Sequence, residues 1–304
     1  MARLHLLPTW HPAYWPTWLG LGIMRLLSLL PMPLIWLLGS SLGAFLHLFP
    51  SKIRTVARIN VGLCLPELGE KGQRRLVKRH FRALGVSILS YGLGWWSSPA
   101  RLHRLVRFRD RRHYDEAIAA GRNIILFVPH FIAMDVCGIC LGSERPMVTM
   151  YRESRNKLVD RMLRKRGRFN DGVMFERKSS LKALIRFIRE QRPFYYLPDQ
   201  DPGGAEGIFV PFFRVPAATV TALSRIAKMT NADVIPCYNR ILPWGRGFEM
   251  RFAEPLKDFP SDNLEKDARR MNEEVEKAVR QNPEQYLWGY RRFKTRPEGS
   301  PPVY

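Results

Sequence analysis

The sequence predicts an α/β domain, a mixed central sheet covered by helices, carrying an N-terminal apolar helical segment that anchors it in a membrane. Three observations predict it. From residue 123 onward, apolar strand-like runs alternate with helix-length segments. A chain of 304 residues is long enough for one large domain of this kind or two small ones. Between Trp18 and Phe49 the only lysine, arginine, aspartate or glutamate is Arg25.

That first segment is divided by Pro31 and Pro33 into Trp18–Leu30 and Leu34–Phe49. Each part falls short of the ~20 residues a helix needs to cross a bilayer. Together, with a kink, they span once or lie partly inserted; a helical hairpin buried in a soluble core is the alternative. A cleaved signal peptide fits poorly, because the apolar stretch is long and no small-residue cleavage site stands out. Lys52, Arg54 and Arg58 follow the segment, whereas only Arg3 precedes it. The positive-inside rule then puts the rest of the chain in the cytoplasm. The expected division is an anchor over 1–50 and a globular domain over 51–304.

Residues 51–97 read as helical, and "RLHRLVRFRDRRHY" (101–114) as densely basic with interleaved apolar residues. Expected strands lie at 123–129, 147–151, 172–176, 193–198, 208–213, 233–238 and 248–253. Expected helices lie at 134–141, 155–166, 179–191, 218–231 and 262–281. Proline and glycine fall mostly in the joins, as in "PDQDPGG" and "LPWGRG".

Lysine and arginine number 49 against 27 acidic residues, for a net charge of +22. A surplus of that size calls for an acidic partner: nucleic acid, an anionic membrane, a phosphorylated substrate or an acidic carrier protein. The four cysteines are Cys64, Cys137, Cys140 and Cys237. Only Cys137 and Cys140 have metal-like spacing, and no second pair or histidine cluster completes a site. Buried thiols and a reducing compartment are expected.

Of the seven histidines, only His130 follows a buried strand and precedes a helix, where α/β proteins place ligands at the carboxyl ends of strands. In "VPHFIAMD" it stands five residues before Asp135. Were the segment helical from His130 onward, that offset would turn the two side chains roughly 140° apart. With His130 in the turn and Asp135 in the first helical turns, the carboxylate reaches back to orient a general base. A second acidic pair, Asp199 and Asp201, follows the strand in "PFYYLPDQD" and suits a turn cap or site support equally. Signatures for a serine nucleophile elbow, a zinc site and a P-loop do not occur, so no metal or cofactor is expected. Histidine with carboxylate suits direct attack by a substrate hydroxyl that His130 deprotonates, with Asp135 fixing the tautomer.

The H-x4-D box after a strand resembles that of the glycerolipid acyltransferases. The strings "HPAYWPTWLG", "GIFVPFFRVPAAT" and "PEQYLWGYRRFKTRPEG" are more specific. In register over almost the whole chain, they resemble the late acyltransferases of lipid A biosynthesis. The resemblance implies a glycerol-3-phosphate-acyltransferase-like fold at the cytoplasmic face of the bacterial inner membrane. It implies transfer of a fatty acyl chain from acyl carrier protein to a hydroxyl of an acyl chain on a Kdo-bearing lipid A precursor. The implied partners are the carrier protein, the lipid A precursor and anionic membrane lipid, with no cofactor.

Carried over by position, His130 and Asp135 are the box, and many members carry glutamate at the latter. Arg168 in "RKRGRF" matches an arginine that holds substrate or the oxyanion. Asp199 and Asp201 match an acidic pair often written Asp-His-Asp, here interrupted by Gln200. Arg152, Arg164 and Arg177 join Asp199 and Asp201 as candidates for holding substrate. A same-fold enzyme acting on a lysophospholipid, an ornithine lipid or a glycolipid mannoside is the nearest rival, and "RRFKTRPEG" favours lipid A. Basic clusters at 101–112, 161–168 and 291–296 lack any nucleic-acid-binding motif beside them, and no nucleic acid is expected.

Overall fold

The computed structural model describes residues 8–151, 153–167, 169–176, 180–203 and 207–304. The chain begins with four helices: α1 (Trp15–Leu27), α2 (Met32–Leu48), α3 (Lys52–Cys64) and α4 (Gly69–Trp96). Prolines start α1 and α2, where a missing N–H costs nothing, and Ser51 caps α3 by accepting from the Arg54 N–H at 3.2 Å. There follow α5 (Pro99–Leu105), β1 (Val106–Arg109), α6 (Arg112–Ala119), β2 (Asn123–Phe127), α7 (Met134–Gly142) and β3 (Val148–Tyr151). Next come α8 (Lys157–Gly167), β4 (Val173–Glu176), α9 (Leu181–Arg189) and β5 (Phe194–Tyr196). The chain closes with β6 (Gly207–Phe212), β7 (Val215–Val220), α10 (Ala222–Thr230), β8 (Ala232–Ile241), β9 (Phe248–Phe252) and α11 (Leu264–Gln281).

Seven strands form one sheet in the order β1-β9-β8-β2-β5-β3-β4. Every neighbouring pair is parallel except β8 with β9, so the sheet is mixed, as expected. Strands β6 and β7 make a separate antiparallel hairpin. Central β2 is buried on both faces, which is why its sequence is a continuous apolar run. Ile125 and Phe127 enter a core with α9, α10 and α11. Ile124 and Leu126 enter a second core with α5, α6 and α7. The molecule is thus a sheet between two helical layers.

Two strands escape the pattern reading. In β1, Arg107 and Arg109 alternate with Val106 and Phe108 within the basic stretch, at the sheet edge, where outward charges are tolerated. In β7, Pro216 and two alanines hide a hairpin strand, so the helix expected from 218 begins only at Ala222.

The N-terminal helices are packed onto the α/β core. Met32 and Ile35 of α2 share the second core with Ile124 and Leu126. α2 meets α4 backbone to backbone: a Cβ on Gly85 would run into the Gly39 carbonyl and the Gly43 backbone. Gly85→Ala should therefore destabilise the protein by about 1–3 kcal/mol through overpacking. Gly20→Ala, at a position with open space around the Cβ, should leave the denaturant midpoint unchanged or raise it. Equal midpoints for the two variants would contradict this packing.

The outward faces remain apolar: Trp15, Trp18, Leu19 and Leu26 of α1 and Leu37, Phe45 and Leu48 of α2 are exposed. Among the described residues no single helix is long and apolar enough to cross a membrane. α2 and α3 meet that criterion only as a pair bent by 90°.

Candidate active site

His130 lies in the turn between β2 and α7, and Asp135 lies in the first turn of α7, as the spacing required. The turn is pinned by the end of the chain. The Ile132 N–H donates to the Gln285 carbonyl and the Leu287 N–H to the His130 carbonyl, both at 3.0 Å. Phe131 and Tyr286 pair as an antiparallel bridge.

The carboxylate on the ring, however, is Asp199 and not Asp135. Its Oδ1 lies 2.6 Å from His130 Nδ1, and its Oδ2 accepts the His130 backbone N–H at 2.9 Å. The Tyr286 hydroxyl donates to the same Oδ2 at 3.1 Å. The expectation that Asp135 orients the imidazole is corrected accordingly. The reason is topological: β5 is the parallel neighbour of β2, so the residues after both strands meet above the sheet.

Asp199 is 1 % exposed. Burial alone would raise its carboxyl, but the charge and two hydrogen bonds of His130, helped by Arg292, bring it below the ordinary value. An ionised carboxylate only accepts hydrogen bonds, so in the neutral imidazole the proton sits on Nδ1 and the lone pair is left on Nε2. Arg292 is itself buried, donating to the Ala218 carbonyl at 2.6 Å and lying 5.3 Å from the Phe212 ring centroid.

Asp135 accepts instead from the Tyr91 hydroxyl of α4, at 2.7 Å. Burial pushes its carboxyl above the ordinary range, against the opposing hydrogen bond from Tyr91 and the charge of His130. The Tyr91 phenol is raised in turn, chiefly by the charge of Asp135.

His130, Asp135 and Tyr91 line a cleft of about 1510 Å³ at the carboxyl ends of β2 and β5 and along β3 and β4. Its apolar wall includes Met134, Ile139, Met147 and Met174. Asp201 also borders it, but its carboxylate accepts from the Gly203 N–H at 2.9 Å and from the N–H and hydroxyl of Thr295 at 2.7 and 2.8 Å. That is the work of a turn cap rather than of substrate binding.

Arg164 likewise holds protein rather than substrate, donating to Asp160 at 2.7 Å and Glu176 at 2.9 Å above the Tyr151 ring. Arg152, Arg168 and Arg177 lie outside the described residues. Among the described residues the arginines and lysines lining the cleft are Arg225, Arg291 and Lys294; the last two lie in the basic cluster 291–296, whereas Arg225 was not singled out from the sequence. Tyr91 and Arg292 were missed too. Tyr286 and Arg292 stand in the C-terminal string "PEQYLWGYRRFKTRPEG", which was the available signal.

The chain is similar to known proteins over nearly its whole length. The family model for bacterial lipid A biosynthesis acyltransferases matches residues 7–295. The lipid A biosynthesis lauroyltransferase of Escherichia coli (strain K12) is 34% identical over 295 residues, covering 97% of this chain and 96% of that protein. A lipid A biosynthesis acyltransferase of Haemophilus influenzae is 35% identical over 290 residues, covering 95% and 90%. The lipid A biosynthesis myristoyltransferase of Escherichia coli (strain K12) is 31% identical over 294 residues, covering 95% and 90%.

Proposed function

Because the chain belongs to the bacterial lipid A biosynthesis acyltransferases, we propose that it moves a fatty acyl chain from acyl carrier protein to a hydroxyl of an acyl chain on a Kdo-bearing lipid A precursor. His130 is the general base and Asp199 holds its tautomer. The observation that carries this reading is the buried Asp199 on Nδ1, which leaves the Nε2 lone pair for a substrate proton. In the first step the acceptor oxygen bonds to the thioester carbonyl carbon while Nε2 takes the hydroxyl proton. In the second the carbon–sulfur bond breaks, and the imidazolium returns the proton to the departing thiolate. The ester gains the acyl group and the carrier regains its thiol, so no oxidant or cofactor enters. Arg168 is the arginine that the family resemblance offers for the oxyanion.

The same reading places the protein on the cytoplasmic face of the bacterial inner membrane, held by the exposed apolar faces of α1 and α2 against lipid. Anionic headgroups suit the surplus positive charge.

The test uses purified full-length protein in detergent with acyl carrier protein thioester and Kdo-bearing lipid A precursor. Mass spectrometry should find one added acyl chain on the precursor for each carrier thiol released. Acylation of a lysophospholipid in preference to the precursor, or thiol release without any acylated lipid, would overturn the proposal.

A further inference from the structure

Three charges in the cleft have no role in that chemistry. Arg225 projects from α10, and Arg291 and Lys294 from the C-terminal segment; all are exposed and line the same cleft as His130. In "RRFK" the inner pair, Arg292 and Phe293, is buried, while Arg291 and Lys294 are exposed to either side of it. Among the described residues none of the three forms an ion pair, and Arg291 has only a ring contact, 5.6 Å from Tyr304.

Many other basic side chains are neutralised. Arg111 pairs with Asp115 and Glu144, Arg164 with Asp160 and Glu176, and Arg240 with Glu249. Arg225, Arg291 and Lys294 thus leave positive charge on the lining of the cleft, which favours a bound anion.

The walls of the cleft come from opposite sides of the sheet. α7 supplies Met134 and Ile139 from one helical layer, and α10 supplies Arg225 from the other. The cations thus lie on the α10 and C-terminal side of the cleft, while apolar side chains line both sides, Leu184 and Ile226 included.

Building on the acyl-transfer reading, we propose that Arg225, Arg291 and Lys294 bind a phosphate monoester on the acceptor glycolipid and so select which part of it faces His130. A monoester carries about −1.5 to −2 charge at neutral pH and offers three strong acceptor oxygens. That matches three cations better than the single charge of a phosphodiester, such as one in a carrier's prosthetic arm.

Steady-state kinetics on the full-length protein test this, with the acceptor either phosphorylated or stripped of its phosphate monoester. The variants are Arg225→Gln, Arg291→Gln and Lys294→Gln, singly and together, with exposed Arg75→Gln as a control for net charge. On the phosphorylated acceptor each single change should raise KM by ~10-fold or more, as loss of a charge-assisted hydrogen bond does, with kcat little changed. KM for the acyl donor and the behaviour of Arg75→Gln should match the unmodified protein. On the stripped acceptor, the triple variant and the unmodified protein should share one raised KM. A loss that persists undiminished on the stripped acceptor, or that falls on the donor KM, would overturn the phosphate site while leaving acyl transfer intact. Unmodified protein that acylates neither acceptor would sink the acyl-transfer reading itself.

Discussion

His130→Ala is expected to lower acyl transfer by ~10²–10⁴, the range for loss of a general base. The side chain is 14% exposed, and among the described residues its ring makes a single hydrogen bond, to Asp199. Its backbone N–H, which also serves Asp199, survives the change, as does the hydroxyl of Tyr286. The variant should therefore fold while the chemical step fails. Single-turnover measurement with excess enzyme isolates that step from product release. A near-normal single-turnover rate would remove His130 from the mechanism.

Asp199→Asn is expected to cost on the order of 10²–10⁴ in kcat, through the wrong tautomer rather than through lost contact. An amide that turns its nitrogen toward Nδ1 donates where the carboxylate accepted. The imidazole then places its proton on Nε2, where the substrate hydroxyl needs a lone pair. Asp135→Asn should be milder, because its carboxylate bonds to Tyr91 and not to the ring. The two variants, measured side by side across pH, separate the assignments. A larger loss in Asp135→Asn than in Asp199→Asn would return the orienting role to the carboxylate of the box.

That reversal of carboxylates marks where the sequence stops being informative. Local pattern located β2, the His130 turn and the start of α7, because a doubly buried strand followed by a helix is written in consecutive residues. The partner of His130 is 69 residues away, just after a strand made adjacent by sheet order. Nothing in the spacing of His130 and Asp199 encodes that adjacency, whereas Asp135 was visible only because it is near in the chain. Asp199 could be picked out as an acidic residue after a strand, but the role assigned to it was substrate holding. Tyr91 illustrates a second limit. It sits on a long helix whose apolar periodicity announces packing and is silent about which hydroxyl reaches a carboxylate. The mixed sheet was legible as a class, while β1 and β7 were concealed by arginine and by proline with alanine.

The C-terminal segment that pins the His130 turn also sets an order of assembly. α1 and α2, which carry the apolar faces, are made before the His130 turn can be held by Gln285 and Leu287 and Asp199 by Tyr286. Asn60 of α3 waits for the carbonyls of Trp288 and Tyr290, contacts separated by 228 and 230 residues. Loops that long close late in folding. The His130 turn and its carboxylate thus stay unsupported until residues 285–290 have been made.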